Sequence, residues 1–118
     1  MSSIEELDLR RRLSLTALQE LLTDAMTDRP EMSNEITAIE NALTNVEDVD
    51  NYVERFNELE VLVHIFTVDA ESRPPNIPNT NRLNRLRNIR NALNDYKNAY
   101  TNYAVELVAA SKTNKKGD

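Results

Sequence analysis

The chain has 118 residues, one glycine (Gly117), no cysteine and a net charge of −6. Without cysteine there is no disulfide framework and no thiolate chemistry, and with one glycine at the tail the tight hairpins of a β-rich domain are disfavoured. At 40% hydrophobic and 29% charged residues, a chain of this length makes one domain with a true core and suits long helices.

The first predicted helix opens at Ser2 and Ser3, which with Glu5 and Glu6 have the spacing of a capping box. It runs to about Thr27, and its main face collects Ile4, Leu7, Leu15, Leu18, Leu21, Leu22, Ala25 and Met26. Arg11 and Ser14 interrupt that face, while Leu9 and Leu13 project nearly opposite. Two accounts remain open. In one, the early turns lie at the bundle edge, Arg11 snorkels out, and Leu9 and Leu13 face a second surface such as another subunit. In the other, the N-terminus is frayed or irregular.

Asp28-Arg29-Pro30 ends this helix and starts the next. The second helix shows Met32, Ile36, Ile39, Leu43 and Val46, with gaps of four, three, four and three. The apolar set then shifts to Val49, Val53, Phe56, Leu59, Val63 and Phe66, a turn of about 135° where a steady heptad drifts about 60°. A chain break near Asn45 to Asn51, with Asn51 and Glu54 as a second capping box, explains the turn; one long helix from Pro30 to Ala70 is the competitor. The third helix spans about Asp50 to Ala70. From Val61 to Val68 it is apolar nearly all round, so burial on most sides is expected there, and with it a buried structural His64.

Glu71 to Thr80, with Pro74, Pro75 and Pro78, reads as an extended linker able to cover about 30 Å. Its PxxP match lacks a flanking basic residue and reads as plain linker. Asn79 or Thr80 is the expected cap of the last helix. That helix carries Leu86, Ile89, Leu93, Tyr96, Tyr100, Tyr103, Leu107 and Ala110 at alternating gaps of three and four. Tyrosine hydroxyls are expected at the bundle edge. Opposite runs an asparagine stripe: Asn81, Asn84, Asn88, Asn91, Asn94, Asn98 and Asn102. Asparagine is a poor helix former, so the stripe is either solvated surface or an amide interface, and Asn84, Asn88, Asn91, Asn98 and Asn102 join Leu9 and Leu13 as candidate interface residues. The fold is therefore an all-α antiparallel helical bundle of four helices, or three with a long central one. It forms a single domain over 1–111 with a flexible polar tail over 112–118.

Charge is unevenly spread. Residues 31–71 hold eleven acids and one base, and residues 72–118 three acids and nine bases. Side-by-side packing of the two is the plain expectation. It has Arg82, Arg85, Arg87 and Arg90 bridging to Glu47, Asp48, Asp50, Glu54, Glu58 or Glu60. The sharper alternatives give each patch a partner: a basic protein for the acidic segment, or nucleic acid for the arginines, although no nucleic-acid motif frames them.

No chemistry is indicated. A lone histidine makes no metal cage, Asp48-Val49-Asp50 lacks the glycine and glutamate of a calcium loop, and no nucleophile elbow or phosphate-cradling glycine loop exists. No catalytic residue, metal or cofactor is expected. Nor is a secretory signal or membrane span, which points to the cytoplasm or the inside of an assembly. The expected function is non-enzymatic interaction or assembly through helix packing, with a second copy of the chain as partner. Small phage and viral accessory proteins offer an association for such a role, nothing more. The alternatives are an acidic inhibitor that mimics nucleic acid with residues 31–71, and a weak nucleic-acid binder using Arg82 to Arg90.

Overall fold

A computed structural model describes residues 3–28, 32–46 and 50–117; for Asp28 and residues 112–117 only the backbone is described. Four helices account for it: α1 (Ile4–Asp28), α2 (Ser33–Thr44), α3 (Tyr52–Ser72) and α4 (Ile77–Gly117). The long-helix alternative for residues 30–70 is therefore set aside. The apolar faces of α2 and α3 differ by more than one continuous helix can absorb, so the chain breaks between Thr44 and Tyr52. Glu47, Asp48 and Val49 lie outside the described residues, as do Ser2, Arg29, Pro30 and Glu31.

Each helix lies against two others. α1 packs on α2 and α4, and α3 packs on α2 and α4. Landmarks along the rods give the directions. Arg11 reaches Tyr103 while Leu13 and Ala17 lie beside Ala92 and Asp95, so α1 runs opposite to α4. Tyr52 meets Tyr100 and Asn79 meets Ala70, so α3 also opposes α4. Glu35 sits by Arg82 and Leu43 by Tyr96, so α2 runs with α4. The result is an up-down-up-down four-helix bundle. It measures 62 × 22 × 20 Å; a helix as long as α4 spans about 62 Å at 1.5 Å per residue, so α4 sets the length.

The core follows the three-four spacing. Leu18, Leu22, Ala25, Met32, Ile36, Ile39, Leu43, Val46, Phe56, Leu59, Val63, Leu86, Ile89, Leu93, Tyr96 and Tyr100 form one buried cluster. Val53, which the spacing assigns to the core of α3, is instead exposed. At the centre five of the six aromatic residues meet. Tyr52 lies 5.2 Å from Tyr100, and Phe56 lies 5.4 Å from Tyr96 and 5.6 Å from Tyr100, mostly edge to face. Tyr100 continues the chain of rings to Tyr103. Tyr96 and Tyr100 are fully buried, so their hydroxyls do not reach the bundle edge as expected.

Local signals explain the ends. Glu6 N–H donates to Ser3 Oγ at 3.1 Å, which starts α1 at the expected capping box. Asn51 holds the N-cap position of α3 without a side-chain capping bond. The proline-rich connection is shorter than expected. Helix α3 continues through Ser72, and α4 begins at Ile77 with Pro78 in its first turn, where a missing N–H costs nothing. The cap is Asn76 rather than Asn79 or Thr80: Asn79 N–H donates to Asn76 Oδ1 at 2.8 Å. Asn79 itself is buried, and its Nδ2 donates to Ala70 O at 2.8 Å, tying the first turn of α4 to the last turn of α3. Replacing the cap, Asn76→Ala, is expected to cost about 1 kcal/mol in urea unfolding; no change would mean that the connection is held by Asn79 alone.

Candidate interaction surfaces

A helix in a ring of four has two neighbours and therefore one buried side. In α3 this meets a sequence that is apolar on two sides. Phe56, Leu59, Val63, Thr67 and Ala70 face inward. Val61, Ile65 and Val68 are 57%, 54% and 49% exposed. Expected burial on most sides of this segment is thus corrected, and His64, expected in the core, is exposed beside the strip. The Glu60 carboxylate, four residues before His64, accepts from Lys97 Nζ on α4 at 2.6 Å.

The outer strip of α3 has its own three-four spacing: Glu54, Glu58, Val61, Ile65, Val68. It is a second seam, opposite the first, with carboxylates at its N-terminal end. Glu54 is exposed, and Glu58 accepts from Arg55 within the same helix at 3.2 Å. Three β-branched side chains on a solvated helix face lose rotamer freedom and leave apolar surface wet. The fold of one chain gains little from them. This strip was missed in the sequence because all-round apolarity was read as burial; the spacing of the outer seam was the available signal.

On α1, Leu9 and Leu13 are 56% and 60% exposed, opposite the buried face, where the sequence places them. The interrupting Arg11 has a different role from the one expected. It does not snorkel to solvent. Its guanidinium lies 4.8 Å from the centre of the Tyr103 ring and 5.8 Å from Tyr100, with Nε donating to Asp8 Oδ1 at 3.1 Å. Asp8 also takes Arg12 at 3.0 Å. Burial acts to lower the Arg11 pKa, but the hydrogen bond and charge of Asp8, helped by Tyr96 and Tyr103, outweigh it and the net shift is upward. The side chain stays charged at every accessible pH. Cation–π contact with two rings offsets much of the desolvation. Arg11→Ala is expected to cost about 1–2 kcal/mol, because Asp8 keeps Arg12 as partner and is not left with an unpaired buried charge. Arg11→Met should recover part of that loss by keeping the stem in place; a fall of more than about 4 kcal/mol in chemical denaturation would contradict this.

On α4 the asparagine stripe is solvent-facing: Asn84, Asn88, Asn91, Asn94, Asn98 and Asn102 are exposed and Asn81 half-buried. Beyond Asn102 the same face continues into Val105 and Val108, 59% and 45% exposed. Here α4 has passed the end of the α2–α3 hairpin. Tyr52 is level with Tyr100, and α4 runs about 25 Å further. Its backbone is helical through Gly117, into the segment expected as a flexible tail.

The arginines do not form one patch. Arg82 Nη1 donates to Glu35 Oε1 on α2 at 3.3 Å, with both side chains largely buried. Arg85 is half-buried, and Arg87 and Arg90 are exposed. The expected bridges to Glu54 and Glu58 are replaced by Arg82–Glu35 and, further along, Lys97–Glu60. Helix α2, not the start of α3, lies in step with the start of α4. Asp50 is exposed, and Glu47 and Asp48 lie outside the described residues.

A groove of about 420 Å³ between α1 and α2 is lined by Leu15, Gln19, Leu22, Thr23, Glu40, Leu43, Thr44 and Tyr96. One carboxylate, one amide and three hydroxyls stand in its lining, without a histidine, lysine or cysteine. Among the described residues no three His, Asp or Glu side chains converge as metal ligands, and no helix is long and apolar enough to cross a membrane. Compared with protein-family models, with curated proteins and with solved structures, the chain matches none.

Proposed function

We propose that the protein is a non-enzymatic assembly or interaction module that works by packing its outer helix faces against a second copy of itself. The observation that carries this reading is the outer seam Val61–Ile65–Val68 of α3, supported by Leu9 and Leu13 of α1. These are apolar strips at helical spacing that the core does not use. Light scattering across concentration tests it. The mean mass is expected to rise above that of one 13.5 kDa chain and to fall again on dilution; a constant mass of one chain counts against it.

A second reading has a specific observation behind it. The carboxylates of Glu54 and Glu58 are exposed and unclaimed by the arginines of α4, so a basic protein partner has charge to meet. Under that reading Glu54→Gln with Glu58→Gln abolishes binding to the partner and leaves the mass of the isolated chain unchanged. A nucleic-acid role for Arg82 to Arg90 has less support, since Arg82 is committed to Glu35.

A further inference from the structure

The junction of α3 and α4 holds a buried polar atom without a partner. Asn79 is 8% exposed, and its Nδ2 donates to Ala70 O at 2.8 Å. Its Oδ1, the other polar atom of that amide, has no hydrogen-bond donor among the described residues. Buried amide oxygens are nearly always paired, so a donor from outside the chain is the simplest complement. Asn79 lines a cavity of about 260 Å³ together with Arg73, Pro74, Asn76, Pro78 and Arg82. Both arginines have donors to spare. A guanidinium carries about five N–H groups; Arg73 gives Nη2 to Asp69 at 2.8 Å, and Arg82 gives Nη1 to Glu35 at 3.3 Å. The cavity also lies at the N-terminus of the 41-residue α4, where the helix dipole favours negative charge.

These groups ask for a ligand of one kind. The arginine donors match the oxygens of an oxyanion, while Asn79 Oδ1 needs a proton donor. An oxyanion that keeps a proton at neutral pH supplies both. We propose that this cavity binds such an ion, of which inorganic hydrogen phosphate is the simplest. Its P–OH donates to Asn79 Oδ1, and its charged oxygens accept from Arg73 and Arg82. A nucleic-acid phosphodiester has no proton to give and leaves the amide oxygen unmet. The site is independent of the assembly reading and uses neither outer strip. Asp69 and Glu35 offset part of the arginine charge and the ion is small, so affinity of roughly millimolar order is expected.

Amide resonances of the full chain, followed during titration at constant ionic strength in a buffer free of phosphate, test it. Sodium phosphate is expected to shift the resonances of Arg73, Asn76, Asn79 and Arg82 saturably, the side-chain amide of Asn79 included. Sulfate has no proton to give, and methyl phosphate has lost its own at about pH 7.5. Both should bind at least about five-fold more weakly, because Asn79 Oδ1 then stays unpaired. Arg73→Gln should weaken phosphate binding at least about five-fold. Its pair with Asp69 is half exposed, so the thermal midpoint without phosphate should hold. No saturable shift up to roughly 50 mM phosphate overturns the site. Sulfate or methyl phosphate binding as tightly as phosphate means an adventitious ion only, held by the arginines without Asn79, and overturns it as well. Phosphate binding that Arg73→Gln leaves unchanged places the ion elsewhere and also overturns it. None of these outcomes bears on self-association, which light scattering measures separately.

Discussion

Phe56→Ala is expected to remove about 3–5 kcal/mol of unfolding free energy, a large share of what a domain of this size holds. Phe56 is fully buried and touches Tyr52, Tyr96 and Tyr100 edge to face. Truncation therefore loses the transfer of one ring, the ring contacts and the packing around the hole. The site cannot collapse easily, because its neighbours sit on two separate helices, α3 and α4, each fixed along its length. Phe56→Leu should cost clearly less, since most of the volume is kept. Guanidinium or urea titration followed by helical dichroism measures both. A Phe56→Ala loss below about 1 kcal/mol would mean that the ring cluster does not join α3 to α4 as described.

The second large effect is on association rather than folding. Val61→Lys with Ile65→Lys should weaken self-association at least about ten-fold while leaving the thermal midpoint at or above that of the parent. The reason is the position of these side chains. They are half exposed and opposite the core, so one folded chain loses little packing when they change. Lysine is the better helix former by a few tenths of a kcal/mol, since it keeps rotamer freedom that β-branched residues lose. A midpoint that drops by many degrees would show that the strip is buried within a single chain. Unchanged association with an unchanged midpoint would remove the strip from the interface.

Helix positions and the inward faces were legible because apolar spacing is a property of one helix and needs no knowledge of its neighbours. Ile36, Ile39 and Leu43, or Leu86, Ile89 and Leu93, announce their burial at three-four gaps. The break between α2 and α3 was legible for the same reason, as a jump in the direction of that face. What the pattern does not carry is how many neighbours a helix has. Val61 to Val68 looks like a helix enclosed on all sides, and only the ring arrangement shows that α3 has one inner face. Pairing partners are lost in the same way. Arg82 faces Glu35 rather than Glu54 or Glu58 because a connection of four residues, not an extended linker, sets the register of α4. Arg11 was visible as a break in an apolar face, but its resolution over Tyr103 depends on α4 crossing at that level. The outer surfaces were legible in part. Leu9, Leu13 and the asparagine stripe lie exposed where helical geometry puts them.

The most direct measurement is a residue-resolved amide spectrum of the full chain recorded at several concentrations. The account predicts that resonances of residues 61–68 on α3 and of Leu9 and Leu13 on α1 shift or broaden as concentration rises, while those of Leu18, Ile36 and Leu93 in the core stay fixed. Spectra that do not change with concentration, or changes confined to faces other than these two, would contradict it.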